Sequence, residues 1–422
     1  MKIQRSKGMR DLLPADMKLF RLVEKISRQC CVNWGYKEVK TPTIEYLYLF
    51  TSAGTLTPGR LGKVYSFLDW DGWSGERVVL RPDGTIPVAR LYTENMEADG
   101  PARLYYSANI FMFEKDGDKA RESWQLGAEL IGAASRTADV ELVALTMDII
   151  GKLGLQNVEL RLSHAGLIET ILDTLGLDAG EQSRLFGRIL EGDEEALNEL
   201  DSDNSEYQKM LLPLLSLKGK SSEYFRKQRD NLIKSRKDIA PYIDDFLKTI
   251  DMLDFLGYEY HIDIASGAGF EYYTGTIFQL YSGGEKIGGG GRYDALIPAM
   301  GGGDVPACGF ALYLDPVMKL VSPDILPVPE KESVLIKAGS EDSKVVQATF
   351  QLAGSLREAG YIAEIDLADR PIVGFQWVIG LNKYTPGYKV RNVKSTKIAD
   401  ATTPSGVLKI LEANGGDKAG SA

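Results

Sequence analysis

Residues 104–132 read LYYSANIFMFEKDGDKARESWQLGAELIG, and this stretch decides the fold of the larger part of the chain. Residues 104–114 and 122–132 are both rich in aromatic and aliphatic side chains, as β-strands are. The segment between them, EKDGDK at 114–119, is charged and contains a glycine. This pattern predicts two antiparallel strands joined by a polar loop.

The sequence on either side of this pair predicts a core of mixed helices and strands. Residues 165–255 differ from the rest, because they are Leu-rich and charged and almost lack β-branched alternation. We interpret this segment as a helical insertion. The other predicted elements are a helix over 17–34, a strand ending at Pro42, a hairpin over 64–80 around Asp71-Gly72, a helix over 138–153, and strands over 158–162, 260–264 and 276–281.

The order of these elements predicts an α+β fold with two domains. Residues 1–326 form an antiparallel-sheet core that contains the helical insertion at about 165–255. A break with two prolines follows, and residues 331–413 have the pattern of a small C-terminal α/β domain. Residues 414–422 are predicted to be a flexible tail. Within the second domain we expect strands at 334–336, 361–365 and 377–379, and a helix at 344–359 that ends at Gly360.

Composition and charge disfavour several classes of site. The 422 residues carry a net charge of −10, which is mild evidence against a surface for nucleic acid. Three cysteines (Cys30, Cys31 and Cys308) form no metal or disulfide motif, and two isolated histidines (His164 and His261) do not form a catalytic triad. We therefore expect no metal site and a reduced, cytoplasmic compartment. We also expect no leader sequence and no membrane-spanning segment.

Six ordered segments resemble motifs of the histidyl-tRNA synthetases, a family of class II aminoacyl-tRNA synthetases. They are GMRDLLP at 8–14, TPTIE at 41–45, LRPDGT at 80–85, QLGAE at 125–129, FEYYTG at 270–275, and GGRYD with ACGFA at 290–294 and 307–311. The resemblance covers most of the core and implies a class II synthetase-like antiparallel sheet. It also implies a dimer interface at Pro42. The C-terminal domain resembles the anticodon-binding fold without one intervening helix.

The chain departs from this family at three arginines. Met112 stands in FMFE where the family has Phe-Arg-x-Glu, Pro316 stands in YLDP where the family has Gly-Leu-Glu-Arg, and Ala268 replaces the arginine before the double tyrosine. Ser123 aligns with the phenylalanine that stacks on adenine. Adenylation brings two anions together, and each cation at the developing charge lowers the barrier by roughly several kcal/mol. The departures therefore imply a chain that does not make an adenylate.

The positions that line the family's amino-acid pocket are largely kept. The resemblance implies that Asp83 pairs with the ammonium group of histidine and that Gln125 or Glu129 contacts the imidazole. An alternative is that these side chains remain only as a hydrogen-bonded scaffold. The candidate ligand residues are Asp83, Thr85, Gln125, Glu129, Tyr272 and Tyr273.

Two further features favour structural explanations. The glycine runs at 288–291 and 301–303 lack the spacing of phosphate-binding loops, and we expect tight turns between antiparallel strands there. The basic segment at 389–397 is more typical of a solvated strand than of a nucleic-acid contact.

A synthetase-like core without adenylation residues resembles a second family, the regulatory subunits of ATP phosphoribosyltransferase. This resemblance implies a non-catalytic subunit, without a cofactor, that supports the first step of histidine biosynthesis and its feedback regulation by histidine. The implied partners are a short-form catalytic subunit and a second copy of the chain, as a homodimer within a hetero-oligomer, with no tRNA and no membrane. The alternatives are a divergent histidyl-tRNA synthetase and a free-standing histidine-binding module.

Overall fold

The protein is described by a computed structural model that divides into two units, Met1–Leu326 and Pro327–Ala422. Most of the predicted insertion, the turn at Asp71-Gly72, the loop at 114–119 and Ala268 lie outside the described residues. The described residues are 4–52, 61–70, 75–96, 100–113, 120–172, 181, 185, 218–219, 222–235, 237–264, 272–322, 332–368, 371–381 and 387–415.

The larger unit combines nine described α-helices with twelve strands. The helices are α1 (Pro14–Asn33), α2 (Leu47–Ser52), α3 (Thr85–Asn95), α4 (Arg136–Lys152), α5 (Ala165–Leu172), α6 (Ser222–Ser235), α7 (Ala240–Phe255), α8 (Leu296–Ala299) and α9 (Leu314–Leu320). The strands are β1 (Lys37–Glu38), β2 (Ile44–Tyr46), β3 (Ser66–Trp70), β4 (Gly75–Leu80), β5 (Ala102–Phe111), β6 (Glu122–Ile131), β7 (Val158–His164), β8 (Lys218–Gly219), β9 (His261–Asp263), β10 (Thr276–Ser282), β11 (Glu285–Arg292) and β12 (Ala307–Tyr313).

The main sheet has nine described strands in the order β1-β5-β6-β12-β11-β10-β7-β9-β8. Strands β5 and β6 pair antiparallel over ten residues, which confirms the predicted pair. Because side chains alternate along a strand, Leu126, Ala128 and Leu130 pack into the core with α1 and α4. The residues between them, including Gln125 and Glu129, project to the opposite face. The expected α+β fold with a mainly antiparallel sheet at its core is therefore confirmed.

The glycine run at 288–291 lies within β11, so the prediction of a tight turn there is wrong. The turn between β10 and β11 is made by Gly283 and Gly284, whose φ angles are 58° and 83°. The run is glycine for a packing reason: a Cβ atom at any of its four positions would lie 2.7 Å or less from an atom of a neighbouring strand. The second run forms a turn with positive φ at its first and last glycine, but it follows the helix α8 and does not connect two strands directly as predicted.

The described part of the insertion is mainly helical and is tied to the core by a buried histidine. His164 ends β7, and its Nε2 lies 3.3 Å from Oδ2 of Asp245 on α7. Arg136, at the start of α4, donates a hydrogen bond from Nε to Oδ1 of the same carboxylate. Asp245 therefore bridges two core elements to the insertion, and His164 takes part in that structural contact.

A separate three-stranded sheet, in the order β2-β4-β3, follows Pro42. The pairing of β3 with β4 confirms the predicted hairpin. Every residue of β3 is exposed, and Trp70 is 68% exposed. Large apolar side chains therefore face solvent on the isolated chain, on both faces of this small sheet. We call this set the apolar patch: Ile44, Tyr46 and Phe67 on one face, Leu68 and Trp70 on the other, and Tyr48 stacked on Tyr46.

The smaller unit is an α/β domain around a five-stranded sheet in the order β14-β13-β15-β16-β17. Between Ile365 and Trp377 the described residues form no helix, in agreement with the helix missing from the sequence pattern. Its last helix includes Gly415, two residues into the predicted tail, because its apolar face packs on the sheet. The elements are β13 (Ser333–Lys337), α10 (Ser343–Glu358), β14 (Ile362–Ile365), β15 (Trp377–Leu381), β16 (Tyr388–Asn392), β17 (Ile398–Ala401) and α11 (Pro404–Gly415).

Across the described parts of both units, no helix combines the length and the apolar character needed to cross a bilayer.

Candidate ligand pocket

Asp83 occupies the loop between β4 and α3 and holds the start of that helix. Its Oδ1 accepts a hydrogen bond from the backbone N–H of Thr85 at 2.8 Å, and its Oδ2 accepts one from Ile86 at 3.3 Å. Free N–H groups at a helix start favour a negative charge. Burial raises the pKa of Asp83, and these backbone hydrogen bonds oppose that effect. The carboxylate is thus a helix cap as well as a candidate ligand group.

Gln125 connects the same loop to the main sheet. It is 1% exposed on β6, and its Oε1 accepts a hydrogen bond from the backbone N–H of Gly84 at 3.0 Å. The bond holds the loop over the sheet face that carries Glu129. A buried amide acceptor without such a partner would cost about 1–3 kcal/mol, so this contact positions the loop.

Glu129 lies on the same face of β6 as Gln125 and is 1% exposed. Its side chain crosses over Gly309 of β12, where a Cβ atom would collide with it. Its Oε2 accepts a hydrogen bond from the hydroxyl of Tyr293, while Oε1 is buried and finds no hydrogen-bond partner among the residues that the structure describes. Burial raises the pKa of Glu129 to about 8, although the hydroxyls of Tyr293 and Thr85 act in the opposite direction. At neutral pH most of this carboxyl is therefore protonated.

Tyrosines enclose the two carboxyl groups. The rings of Tyr272 and Tyr273 meet edge to face at 5.3 Å, and Tyr272 meets Tyr293 in the same way at 5.3 Å. Tyr106, on β5, lies so close to Gly84 and Gly127 that a Cβ atom at either glycine would collide with its ring. Burial raises the pKa of all four phenols, so they remain uncharged hydrogen-bonding groups.

The structure brings most of the predicted ligand residues together. Asp83, Thr85 and Glu129 act electrostatically on Tyr272, and Asp83 and Glu129 act on Tyr273. Gln125 joins them through the loop backbone. Sequence reasoning missed Tyr106 and Tyr293, although Tyr293 belongs to the GGRYD segment and Tyr106 lies in the quoted strand pair. The strand pairing that brings these rings to Glu129 was not evident from either motif.

Two of the three positions that lack the arginines, Met112 and Pro316, lie among the described residues, beside or within structural elements of the core. The backbone N–H of Met112, just after β5, donates to the carbonyl oxygen of Arg121 at 3.0 Å. Pro316 lies in the first turn of α9. The preceding Asp315 forms an ion pair with Arg10 and accepts a hydrogen bond from the backbone N–H of Trp124 at 3.2 Å. The N-terminal signature and the motif 3 helix are thus joined by an acidic side chain.

Arg81 of the LRPDGT segment donates hydrogen bonds to several segments beside the pocket. Its guanidinium donates to the carbonyl oxygens of Thr41 and Pro42, both at 3.0 Å, and to the carbonyl and side-chain oxygens of Asn109 at 2.8 and 2.9 Å. It is 5% exposed, so its charge is directed to these partners. Arg81 therefore links the Pro42 segment to the loop that carries Asp83.

The pocket suits a small ligand with hydrogen-bonding groups and a positive charge. Two buried carboxyl groups and four phenols face one another, and cations are not among the groups that act most strongly on Glu129 or Asp83. Across the described ranges, no cluster of three or more His, Cys, Asp or Glu side chains is arranged to hold a metal ion.

Comparison with known proteins assigns the family. A family model described as histidyl-tRNA synthetase matches residues 8–317. The chain is 44% identical over 409 residues to an ATP phosphoribosyltransferase regulatory subunit of Dehalococcoides mccartyi, covering 97% of this chain and 98% of the relative. It is 33% identical over 377 residues to a histidine–tRNA ligase of Methanocaldococcus jannaschii, covering 87% of each chain.

Solved structures agree with this assignment. An ATP phosphoribosyltransferase regulatory subunit/histidyl-tRNA synthetase from Bacillus halodurans matches with a TM-score of 0.73 and 25% identity, covering 90% of this chain and 98% of that one. Apo histidyl-tRNA synthetase of S. aureus shows the same fold, with a TM-score of 0.65 at 22% identity and coverage of 98% and 99%. The chain belongs to the family of ATP phosphoribosyltransferase regulatory subunits, which share the histidyl-tRNA synthetase fold.

Proposed function

We propose that this chain is the non-catalytic regulatory subunit of an ATP phosphoribosyltransferase and that its acidic pocket binds histidine as the feedback effector. The transferase carries out the first step of histidine biosynthesis. The observation that carries the proposal is a contrast within the core: the carboxyl and phenol groups of the amino-acid pocket are present and brought together, while other residues stand at the positions of the adenylation arginines. Such a site can recognise an amino acid without activating it.

The contacts at the replaced positions explain why adenylation is absent. Met112 cannot neutralise a phosphate, and Pro316 has neither a charge nor a backbone N–H to donate. The neighbouring Asp315 adds a negative charge that is already paired with Arg10. A triphosphate would therefore approach a surface without the required cations, and its developing charge would be unstabilised.

The pocket contacts support histidine as the ligand. An ammonium group can pair with Asp83 while the helix N–H groups continue to hold that carboxylate. The unpartnered Oε1 of Glu129 can meet an imidazole nitrogen. The arginine replaced by Ala268 would contact the carboxyl side of the ligand in the synthetases, so binding by this subunit alone is weak. A lost charged hydrogen bond costs about 1.5–3 kcal/mol, or roughly one to two decades of affinity.

The proposed partners are a short-form catalytic subunit and a second copy of this chain. The apolar patch after Pro42 supports pairing between copies, because several large exposed apolar side chains on one small sheet mark an interaction site. Two-fold pairing through one patch is the commonest arrangement of soluble homo-oligomers. The net charge of −10 gives no support to tRNA as a partner.

The test is co-expression with a short-form ATP phosphoribosyltransferase, followed by a pull-down and an activity assay with and without histidine. We expect a complex that is more active than the isolated transferase and that histidine inhibits. Glu129→Ala should weaken inhibition while leaving assembly intact. Glu285→Ala is the matched control, because this exposed carboxylate on β11 pairs only at the surface with Lys319 at 3.4 Å and should leave inhibition unchanged.

Three outcomes would contradict parts of the proposal. Failure to bind the transferase, with histidine still bound, would favour a free-standing histidine-binding module. Histidine-dependent exchange of pyrophosphate into ATP would favour a divergent synthetase. Unchanged inhibition in Glu129→Ala would place the effector site elsewhere and leave the retained carboxyl groups as scaffold.

A further inference from the structure

Glu129 determines which side chains the proposed histidine site can accept. We propose that Glu129 acts as an uncharged hydrogen-bond donor that recognises a neutral ring nitrogen, so that the pocket selects an imidazole and rejects side chains with a permanent positive charge. This inference rests on the proposed function and adds the protonation state through which the site reads its ligand.

The first support is the set of groups around Glu129. Oε2 accepts a hydrogen bond from Tyr293, and the other carboxyl group of the pocket, Asp83, repels a second negative charge. The neighbouring groups are neutral or acidic. They are Asp83 and Thr85 at the start of α3, Tyr106 on β5, Tyr272 and Tyr273 before β10, Tyr293 after β11 and Cys308 on β12.

The second support is that Asp83 and Glu129 receive different hydrogen bonds. Asp83 receives two backbone N–H groups from the first turn of α3, and both stabilise its charged form. Glu129 lies on a sheet and accepts a hydrogen bond from the hydroxyl of Tyr293, with the hydroxyls of Thr85 and Tyr106 nearby, but it receives no backbone N–H from the described residues. When two buried carboxyl groups lie close together, one is held neutral. The single negative charge of this pair therefore belongs on Asp83 and the proton on Glu129.

The position of the proton follows from the hydrogen bond to Tyr293. Because Oε2 accepts from the tyrosine hydroxyl, the proton lies on Oε1. Oε1 is buried and, among the described residues, makes no hydrogen bond of normal geometry, which leaves its proton available to a ligand acceptor. The burial that raises the pKa of this carboxyl to about 8 keeps the proton in place at neutral pH.

This donor distinguishes between ligands. A neutral imidazole has one acceptor nitrogen and one N–H donor, so it can accept from Oε1. The charged ends of lysine and arginine have hydrogen-bond donors only. They could not accept the proton of a neutral Glu129, so no hydrogen bond from Oε1 would form. Either of them would bind only after Glu129 lost its proton.

The inference predicts how histidine affinity depends on pH. Above pH 8 the empty site loses the proton, binding must recover it, and affinity falls by up to about tenfold per pH unit. Below about pH 6.5 free histidine carries a second ring proton that must be released on binding. Affinity should therefore be highest between these limits.

The test is calorimetry with L-histidine on the full-length chain from pH 6 to 9, for the wild type, Glu129→Gln and Glu129→Ala. The glutamine amide is an uncharged donor of the same shape. We expect Glu129→Gln to bind at pH 7 and to lose the alkaline decline, so that the ratio of wild-type to variant affinity falls above pH 8. This ratio cancels titration of the ligand's own amino group. Glu129→Ala should bind about tenfold or more weakly, and L-arginine should not compete with histidine in the wild type.

Two results would overturn the inference while leaving the histidine site intact. One is loss of binding in Glu129→Gln as severe as in Glu129→Ala at pH 7. The other is wild-type affinity that rises, relative to Glu129→Gln, between pH 7 and 9, which would show that the carboxylate is the binding form. If the wild type binds no histidine at any pH, the proposed site itself is wrong and the inference falls with it.

Discussion

Nη2 of Arg292 lies 2.8 Å from Oδ1 of Asp139, in an ion pair whose side chains are 2% and 5% exposed. The guanidinium also reaches Asp294 at 3.0 Å and the carbonyl oxygen of Ala133 at 3.1 Å. These contacts join the end of β11 to the start of α4. This arginine of the GGRYD segment is therefore kept in a chain that lacks adenylation arginines because it holds the core together.

Breaking this pair should destabilise the protein strongly. Arg292→Met leaves Asp139 charged and buried without its main partner, which costs about 3–5 kcal/mol in comparable pairs. The free energy of unfolding can be measured with urea. Arg226→Met is the matched control, because its pair with Asp251 is exposed and should contribute less than about 1 kcal/mol. Equal losses in the two variants would contradict the structural role of Arg292.

The purified chain should not form histidyl-adenylate. Met112, Pro316 and Ala268 stand where the synthetases place arginines, so charge on the α-phosphate has no cation to stabilise it. We expect histidine-dependent exchange of pyrophosphate into ATP to equal that of a sample without protein. A histidyl-tRNA synthetase assayed in parallel shows that the assay detects exchange. A clear signal from this chain would disprove the prediction.

Glu129 should make stability depend on pH in a defined direction. Its pKa is about 8 in the folded chain against an ordinary value of 4.5, so the folded state holds a proton that the unfolded state has lost. The contribution is fully present below pH 4.5 and is lost as pH rises towards 8. Glu129→Gln keeps a neutral side chain at every pH. Its melting temperature relative to the wild type should therefore rise between pH 5 and 8.

Glu141 is a control for that measurement, because its effect on stability should change with pH in the opposite direction. Although burial acts against the charged form, hydrogen bonds from Arg103 and Tyr36 lower the pKa of Glu141. Its contribution is present above the unfolded pKa and is lost as pH falls. Glu141→Gln should therefore destabilise the chain more at pH 7 than at pH 4. A parallel response of both variants would show that the pH effect is not specific to the pocket.

Arg81→Lys should weaken the connection between the Pro42 segment and the pocket loop. Lysine keeps the charge but cannot donate to Thr41, Pro42 and Asn109 at once, because those acceptors surround a planar guanidinium. The loss should be about 3 kcal/mol of unfolding free energy, measured by urea denaturation. Weaker histidine binding should accompany it. Unchanged stability would show that other contacts hold the segment.

Trp70→Asp should dissociate the proposed pair of chains. The substitution places a charge within the apolar patch, where Trp70 is 68% exposed on the single chain. Analytical ultracentrifugation at micromolar concentration should show a dimer for the wild type and a monomer for the variant. Phe255→Asp is the control, because this residue is 91% exposed at the end of α7 outside the patch and should leave the dimer intact. A wild-type chain that stays monomeric would contradict pairing.

The sequence by itself determined the fold class and the missing chemistry. Alternation in residues 104–132 sets two strands with one core face, and ordered motifs identify the synthetase-like core. The absence of arginine at positions 112, 268 and 316 is evident from comparing this sequence with the family motifs. Strand alternation and short motifs depend only on residues that are close together in the sequence, so they can be recognised without a structure.

Only the tertiary structure decided how the retained residues are used. Glu129 meets Tyr293 across 164 residues of chain, and strand pairing over Gly309 brings them together. The pairing of β11 with β10 and β12 requires glycine throughout 288–291 and makes a strand of a predicted turn. Burial and proximity, which arise from contacts distant in sequence, set the pKa of Glu129 and leave Oε1 without a partner. The identity of the pocket residues was readable from the sequence, whereas their protonation and hydrogen bonding depend on the fold.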